Sequence, residues 1–594
     1  MRRTGSLLFA FATFALAPAL ARPALASEAG PRLQALAKAM TFDWAAAHPL
    51  TATALGLTRY DGELDRPSRA QRSRDLGVIR AWEAQLAAVP LGNATLVERD
   101  DAALLRAQLI GMEREYTVYH TAEKDYSAPA NAIVNTLFLQ FQYLPIAGRD
   151  GATKSDVALA WAHIIARLQN APAYIVAGQA LVTHPGHLSG VIGASELAGA
   201  PDFLDGALTQ AAKTQTGGAQ LQAFLRGRDA TDATLRRTIR YLRTNVSRWP
   251  ENYAMGRAAY DAMLRDEQLL PFDATDIVRM GAGELARGWA EQIWVEHLAH
   301  IRGTPIGPAT GGGLAPGGTA LIGYYRERLA ELRQWVTQHH VVAVPTWLGD
   351  IRVVETPKFL QPVSPGASMQ SPRLFAKETT GFYYITPPVS LADAAKHLDP
   401  NEDFDRDRIW STGAHEAMPG HFLQMSIARR NPDFVRRIQG SGVFAEGWAF
   451  YGEEMFVQLG LYGDDLDGRY YVAQWERVRG ARATVDPKLA SGEWSYDRAV
   501  DFFAQQTGFP KSQAQAAVAG IALNPGYVIS YTAGRFQLEN LLAAYWQRMG
   551  ARGSLEDFHD RLLCYGTTPF AVVAPELLAD LGKPLAQVRA AARY

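Results

Sequence analysis

Apolar residues recur at intervals of three and four along most of this chain, a period that predicts helices rather than strands. From Pro31 to about His300 the spacing is rarely interrupted. LQALAKAMTFDWAAAH (33–48), VALAWAHIIARLQNAPAYI (157–175) and ATLRRTIRYLRTNV (233–246) each place their apolar side chains on one stripe. Ala, Leu, Arg and Gln dominate, all favourable in helices. GTPIGPATGGGLAPGG (303–318) breaks the pattern and predicts a surface loop or a junction. Two segments then turn to alternation or to aromatic and β-branched content, IRVVETP (351–357) and GFYYITPP (381–388), each stopped by proline. They read as short strands. After Asp399 the helical spacing returns, with turns at NPDF, GSG, LYGDD and NPGY, and no internal repeat is visible. The expected fold is mainly α. A helical subdomain spans 27–302, the Gly/Pro loop 303–318, and a second helical subdomain with a small β-hairpin or short sheet 319–594.

Composition narrows the function classes. With 594 residues, 48% of them hydrophobic, the chain can bury a large core. Charge is balanced at a net -1, and no basic stripe points to a nucleic-acid partner. At the N-terminus Arg2 and Arg3 precede an apolar run from Leu7 to Ala21 and an Ala24-Leu25-Ala26 site before Ser27. That pattern predicts a secretory signal over 1–26, too short for a comfortable membrane span, with export to the periplasm or beyond. No later segment reads as a transmembrane helix, so no membrane partner is expected after cleavage. The one cysteine, Cys564, cannot form an internal disulfide and reads as a buried thiol.

The chemistry concentrates in STGAHEAMPGHFLQ (411–424). A zinc-peptidase helix carries two histidines four apart, H-E-x-x-H. Here His415 and His421 are six apart. On a regular helix six residues rise about 9 Å and turn about 240°, so the two imidazoles would face different ways. Pro419 resolves the difficulty, because it cannot donate to the carbonyl of His415 and its ring clashes there. Gly420 tolerates the dihedrals of a deformed turn. A bulge at 419–420 would return His421 to the place of an i+4 ligand. Glu416, directly after the first histidine, stands where a general base is needed. A helical hairpin brings VFAEGWAFYGEEMFVQ back towards the histidines and offers Glu446 as third ligand. Glu453, two turns on along the same face, reads either as a partner that orients a ligand imidazole or, with Glu454, as part of an exposed acidic face. His339, His340, His397 and His559 read as structural.

At this point the chain resembles a large bacterial family, domain of unknown function 885. Its HExxPGHxxQ and EGWAxYxE signatures read here HEAMPGHFLQ (415–424) and EGWAFYGE (446–453). ATALGLTRYDGEL (52–64), NPGYVISYTAG (524–534) and FHDRLLCYGTTPF (558–570) extend the likeness over nearly the whole mature chain. The family is regarded as similar to gluzincin-type zinc peptidases, which implies a large helical zincin-like fold with a deep cleft and one Zn2+ per chain. By that resemblance His415, His421 and Glu446 are the ligands and Glu416 the base. Tyr531 would donate to the oxyanion, and the FYYITPP strand would pair with substrate backbone with Tyr384 facing the cleft. Two positions depart from the family. Ala490 stands where a histidine is common, and Thr532 where a lysine is, with Arg535 one turn later as a substitute.

These readings imply a zinc-dependent peptidase for short or unfolded peptides. Two alternatives stay open: a metal-dependent ester or amide hydrolase, and a periplasmic peptide-binding protein with degraded chemistry. Arg482 and Arg535 are candidates for holding a substrate carboxylate, against a structural ion-pair role.

Overall fold

The helical period of the N-terminal half is realised as three long helices, Ala29–Ala47, Lys154–Gln179 and Gly218–Asn245, over the three quoted segments. The computed structural model describes residues 28–594 apart from 149–150, 305, 307–318, 358–360, 362–366 and 387–405. The predicted signal, most of the Gly/Pro loop, the end of the second predicted strand and His397 lie outside the described residues. Helix starts have local causes. Thr153 accepts the N–H of Asp156 while the Asp156 carboxylate accepts the N–H of Thr153, satisfying two donors that a helix leaves over.

Six helices frame the site: α1 (Ala274–Arg302), α2 (Arg406–Glu416), α3 (His421–Ala428), α4 (Gly442–Gln458), α5 (Leu466–Ala490) and α6 (Ser530–Met549). The long helices α1 and α5 lie along one another, and α4 packs on α6. Helix α4 is mostly apolar and buried around nearly its whole circumference, the pattern of a core helix rather than a surface one, with Glu446, Glu453 and Glu454 as its charged exceptions. It approaches α6 backbone to backbone, because a Cβ on Gly447 would lie 2.5 Å from Gly534 Cα. No helix among the described residues is long and apolar enough to cross a membrane.

The strands are β1 (Ile351–Glu355), β2 (Ala367–Gln370) and β3 (Gly381–Ile385), in the order β1-β3-β2. β1 runs parallel to β3 and β2 antiparallel to it, so the two predicted strands share a sheet without forming a hairpin. β2 lies in PVSPGASMQSP, which carries no alternation and few strand formers. Only its pairing with β3 makes it a strand.

Apolar clusters cross the 303–318 junction. Phe382 and Tyr384 of β3 pack with Phe138 and Trp161, and Phe434 and Val572 pack with Leu33 and Leu36. Cys564 is buried, and burial pushes its thiol up to about 12, which leaves it unreactive.

A titratable clasp ties the end of helix Ala29–Ala47 to helix Arg69–Ala87. His48 stacks on Trp44 and lies 3.5 Å from Asp65 and 3.4 Å from Asp75. Burial pulls its pKa down, but the two carboxylates outweigh that and raise it to about 9. Its contribution to stability is therefore complete below the ordinary value of 6.5 and fades as pH rises through about 9. Melting temperatures of the wild type and His48→Gln, followed from pH 6 to pH 10, are expected to converge as pH rises. A constant gap would remove the charge from the explanation.

Candidate metal centre

Helix α2 ends at Glu416. The N–H groups of Ala417 and Met418 both donate to Gly413 O, at 2.8 and 2.9 Å, and Pro419, in a cis peptide with Met418, has no N–H to continue the ladder. The chain folds so tightly that a Cβ on Gly420 would lie 1.8 Å from His415 O. Helix α3 then starts at His421. A bulge within one continuing helix was expected; the structure has a break between two helices, because the proline stops the ladder outright. The outcome for the histidines is proximity all the same. Their ring centroids lie 4.8 Å apart with planes at 84°. Trp448 Nε1 donates to Pro419 O at 2.9 Å and so pins the turn to α4.

The same helix α4 supplies Glu446. Its Oε2 lies 3.2 Å from His415 Nε2 and 3.5 Å from His421 Nε2, and all three side chains are buried. Yet Glu446 Oε2 makes no hydrogen bond to any described group. Three donor atoms thus converge within 4.8 Å of one another around an orphaned carboxylate oxygen. Ligand atoms about 2.0–2.2 Å from a tetrahedral zinc stand at such spacings, so the residues present fit that ion. Electrostatics agree. Burial pushes Glu446 up, but His421 and His415 outweigh it and hold the carboxyl well below its usual range. Burial pulls His415 down, but Glu446 and Glu453 raise it to about 10, so metal binding here must displace a proton.

Two of the three side chains are steadied in turn, while His421 Nδ1 is buried with no hydrogen bond among the described residues. His415 Nδ1 donates to Glu453 Oε1 at 2.7 Å, and Arg479 donates to the same oxygen at 2.7 Å. A carboxylate only accepts, so this bond directs the Nε2 lone pair of His415 to the centre. Tyr527 donates to Glu446 Oε1 at 2.7 Å, which leaves Oε2 facing the imidazoles. The loop bearing Tyr527 is held by Asp486, whose two oxygens each accept the N–H of Gly526 at 3.0 Å. Of these residues Glu453 is legible in the sequence as an orienting partner, whereas Arg479, Tyr527 and Trp448 are not. For two of them spacing offers a weak signal. Arg479 precedes Arg482 by one helical turn, and Tyr527 precedes Tyr531 by four residues. Replacing Glu453 by Gln keeps the shape and removes the charge. Metal affinity, measured by competition with a chelator, is expected to fall about tenfold to a hundredfold. An unchanged affinity would reduce Glu453 to a packing role.

Glu416 is half-buried beside the ligands and enters no hydrogen bond among the described residues. Burial pushes its carboxyl above the ordinary range, against the pull of His421 and His415. Tyr531 is buried and its ring lies 5.9 Å from that of His415, at 19°. Burial, then Glu446, raises its hydroxyl further, so it stays a donor. Arg482 reaches over the Tyr531 ring at 5.7 Å.

Other expectations fail on geometry. β3 is the central strand, with β1 and β2 taking its two edges, so it has no free edge for a substrate backbone. Tyr384 lies in the N-terminal core, 6.1 Å from the Phe138 ring. Arg535 is buried, bonded to Glu284 and, at 2.8 Å, to Glu454, which saturates it as a structural ion pair. Glu453 and Glu454 are no exposed acidic face, because both are engaged by arginines. His559 is structural as expected. Its Nδ1 donates to Val341 O at 2.7 Å and its Nε2 accepts from Tyr451 at 3.0 Å, while burial lowers its pKa to about 4. Ala490 is buried at the end of α5, where its carbonyl accepts the N–H groups of Met255 and Gly256.

Fold and site together define a mainly helical protein with a buried His-His-Glu cluster able to hold a metal ion. The chain belongs to the bacterial protein family of unknown function DUF885, whose profile matches residues 49–577. Two solved structures share the fold. A candidate lipoprotein of unknown function from Shewanella oneidensis is 20% identical with a TM-score of 0.72, covering 92% of this chain and 99% of its own. A candidate lipoprotein from Colwellia psychrerythraea is 18% identical with a TM-score of 0.72, covering 93% and 99%. A comparison with curated proteins gives no match.

Proposed function

We propose that this chain is an exported, zinc-dependent hydrolase that cleaves short or unfolded peptides. The observation that carries the reading is the buried Glu446 Oε2, unbonded and faced by two imidazole Nε2 atoms, with the free carboxylate of Glu416 alongside. A buried orphan acceptor costs stability unless something fills it.

When bound by His415, His421 and Glu446, zinc would polarise the substrate carbonyl and make water acidic near neutral pH. The chain's own groups do the rest. Glu416 takes a proton from the attacking water, a task suited to a carboxylate whose basicity burial has raised. It then delivers that proton to the leaving amine. Tyr531, kept protonated, donates to the oxygen that gains charge. Glu453 and Arg479 hold His415 in one tautomer, and Tyr527 holds Glu446 in one rotamer. A cavity of about 580 Å³ adjoins Tyr527 and is lined by Gln268, Gln439 and Ser441, with none of His415, Glu416, His421, Glu446 or Tyr531 on its wall. Export is supported by the signal-like N-terminus and by the description of both structural relatives as candidate lipoproteins.

The test is metal analysis of the purified chain together with mass spectrometry of a digested peptide library. One zinc per chain and new peptide termini are expected. A zinc-loaded chain that leaves the library intact but cleaves amino-acid esters or acylated amines would replace peptides as the substrate. Binding of peptides with no turnover of any of these would replace catalysis with capture.

A further inference from the structure

We propose that Arg482 clamps the free C-terminal carboxylate of the peptide, so that the centre releases one or two residues from a C-terminus. This rests on the hydrolytic reading above and narrows its substrate class.

Buried arginines in this chain are held either by neutral oxygens, as Arg167 is by Gln140, Thr53 and Glu63 O and Arg477 by Gln292 and Gln506 O, or by carboxylates. Arg436 is held by Asp101 at 2.5 Å and Glu576 at 2.7 Å, Arg373 by Glu378 at 2.6 Å, Arg479 by Glu453 at 2.7 Å, and Arg535 by Glu454 at 2.8 Å. Arg482 departs from that pattern. It is half-buried, yet among the described residues it has no ion pair and no hydrogen bond. Two aromatic rings, Trp475 and Tyr531, each lie 5.7 Å from the guanidinium carbon. Contact with rings favours a guanidinium while leaving its N–H groups free. A half-buried cation without a direct ion pair is unfavourable until a partner arrives.

Position names the partner. Tyr531 neighbours both groups, its ring 5.7 Å from the Arg482 guanidinium carbon and 5.9 Å from the His415 ring. Those two contacts keep the guanidinium within reach of one or two peptide residues, at about 3.3–3.6 Å each, once bonding distances at both ends are added. A planar carboxylate matches the guanidinium fork with two parallel hydrogen bonds. Arg479, one helical turn away and 5.4 Å from the Tyr531 ring, has its Nε and Nη1 buried without hydrogen-bond partners. Two guanidinium groups converging on the ring that faces the centre leave no comparable place there for a substrate's N-terminal ammonium.

The experiment compares three versions of one short peptide: free acid, C-terminal amide, and amide with aspartate as the last residue. Each is given to the zinc-loaded full chain, to Arg482→Ala and to Arg482→Lys. The wild type is expected to prefer the free acid by roughly thirtyfold or more in kcat/KM, the usual loss when a charged partner is removed. Arg482→Ala should erase that preference by slowing the acid and sparing the amide, and Arg482→Lys should restore part of it. Equal wild-type rates on acid and amide, or a uniform slowing of both by Arg482→Ala, would overturn the clamp. An aspartyl amide cleaved as fast as the acid would overturn the C-terminal assignment. Should the wild type cleave no peptide, the hydrolytic reading falls by itself. Calorimetry of acid and amide on Glu416→Gln then decides: tighter acid binding lost on adding Arg482→Ala upholds the clamp, and equal binding overturns it.

Discussion

Glu416→Gln is expected to lower peptide hydrolysis by about 10²–10⁴-fold, the usual share of a positioned general base, while zinc content stays at one per chain. The substitution keeps the volume and half-buried position of the side chain and removes only its ability to accept a full proton. Glu416 is not among the three converging donor atoms, so metal affinity should survive. Its lack of any hydrogen bond among the described residues also means that no structural contact is lost. Metal analysis and turnover on one preparation read both outcomes. Full activity in Glu416→Gln would move the base elsewhere. Loss of metal together with activity would make Glu416 a ligand instead.

Gly420→Ala is expected to damage the centre from the backbone side. The added Cβ would lie 1.8 Å from His415 O, and the atoms it meets are main chain, which cannot swing away. Overpacking of this kind costs about 1–3 kcal/mol in ordinary cores. Here the shift must also separate two imidazoles whose centroids stand 4.8 Å apart. A displacement of about 1 Å at such a site costs on the order of a hundredfold in activity. The variant should therefore melt lower than the wild type and bind zinc more weakly, as read by calorimetry and chelator competition. Normal stability and normal zinc affinity would mean that the 416–421 turn has slack its close contacts do not suggest.

Legibility followed the range of the interaction. The helices were readable because hydrophobic spacing, capping residues such as Asp273, and breakers such as Gly303 act within a few residues. His415, Glu416, His421, Glu446 and Glu453 were readable for a related reason: the Pro-Gly pair between the histidines makes sense only if something must bring them together. The error there was one of form, a bulge in place of a helix break. β2 was unreadable, since ASMQ has no strand pattern of its own and becomes a strand by pairing with β3. Tyr384 was misplaced because strand periodicity says nothing about which strands flank it. Arg482 and Arg535 looked alike in sequence and differ only in what surrounds them, four glutamates for one and two aromatic rings for the other.

By itself the sequence determined a helical chain with one candidate metal motif and a turn at 419–420 compatible with it, which follow from local periodicity, residue type and what proline and glycine can and cannot do. Tertiary structure alone decided which carboxylates meet which cations. Asp486, Gly526, Tyr527 and Glu446 come from three separate stretches of the chain, as do His415, Glu453 and Arg479. Hydrogen bonds and charges act over a few ångströms of space, and no spacing along the chain records which distant residues packing will place within that reach.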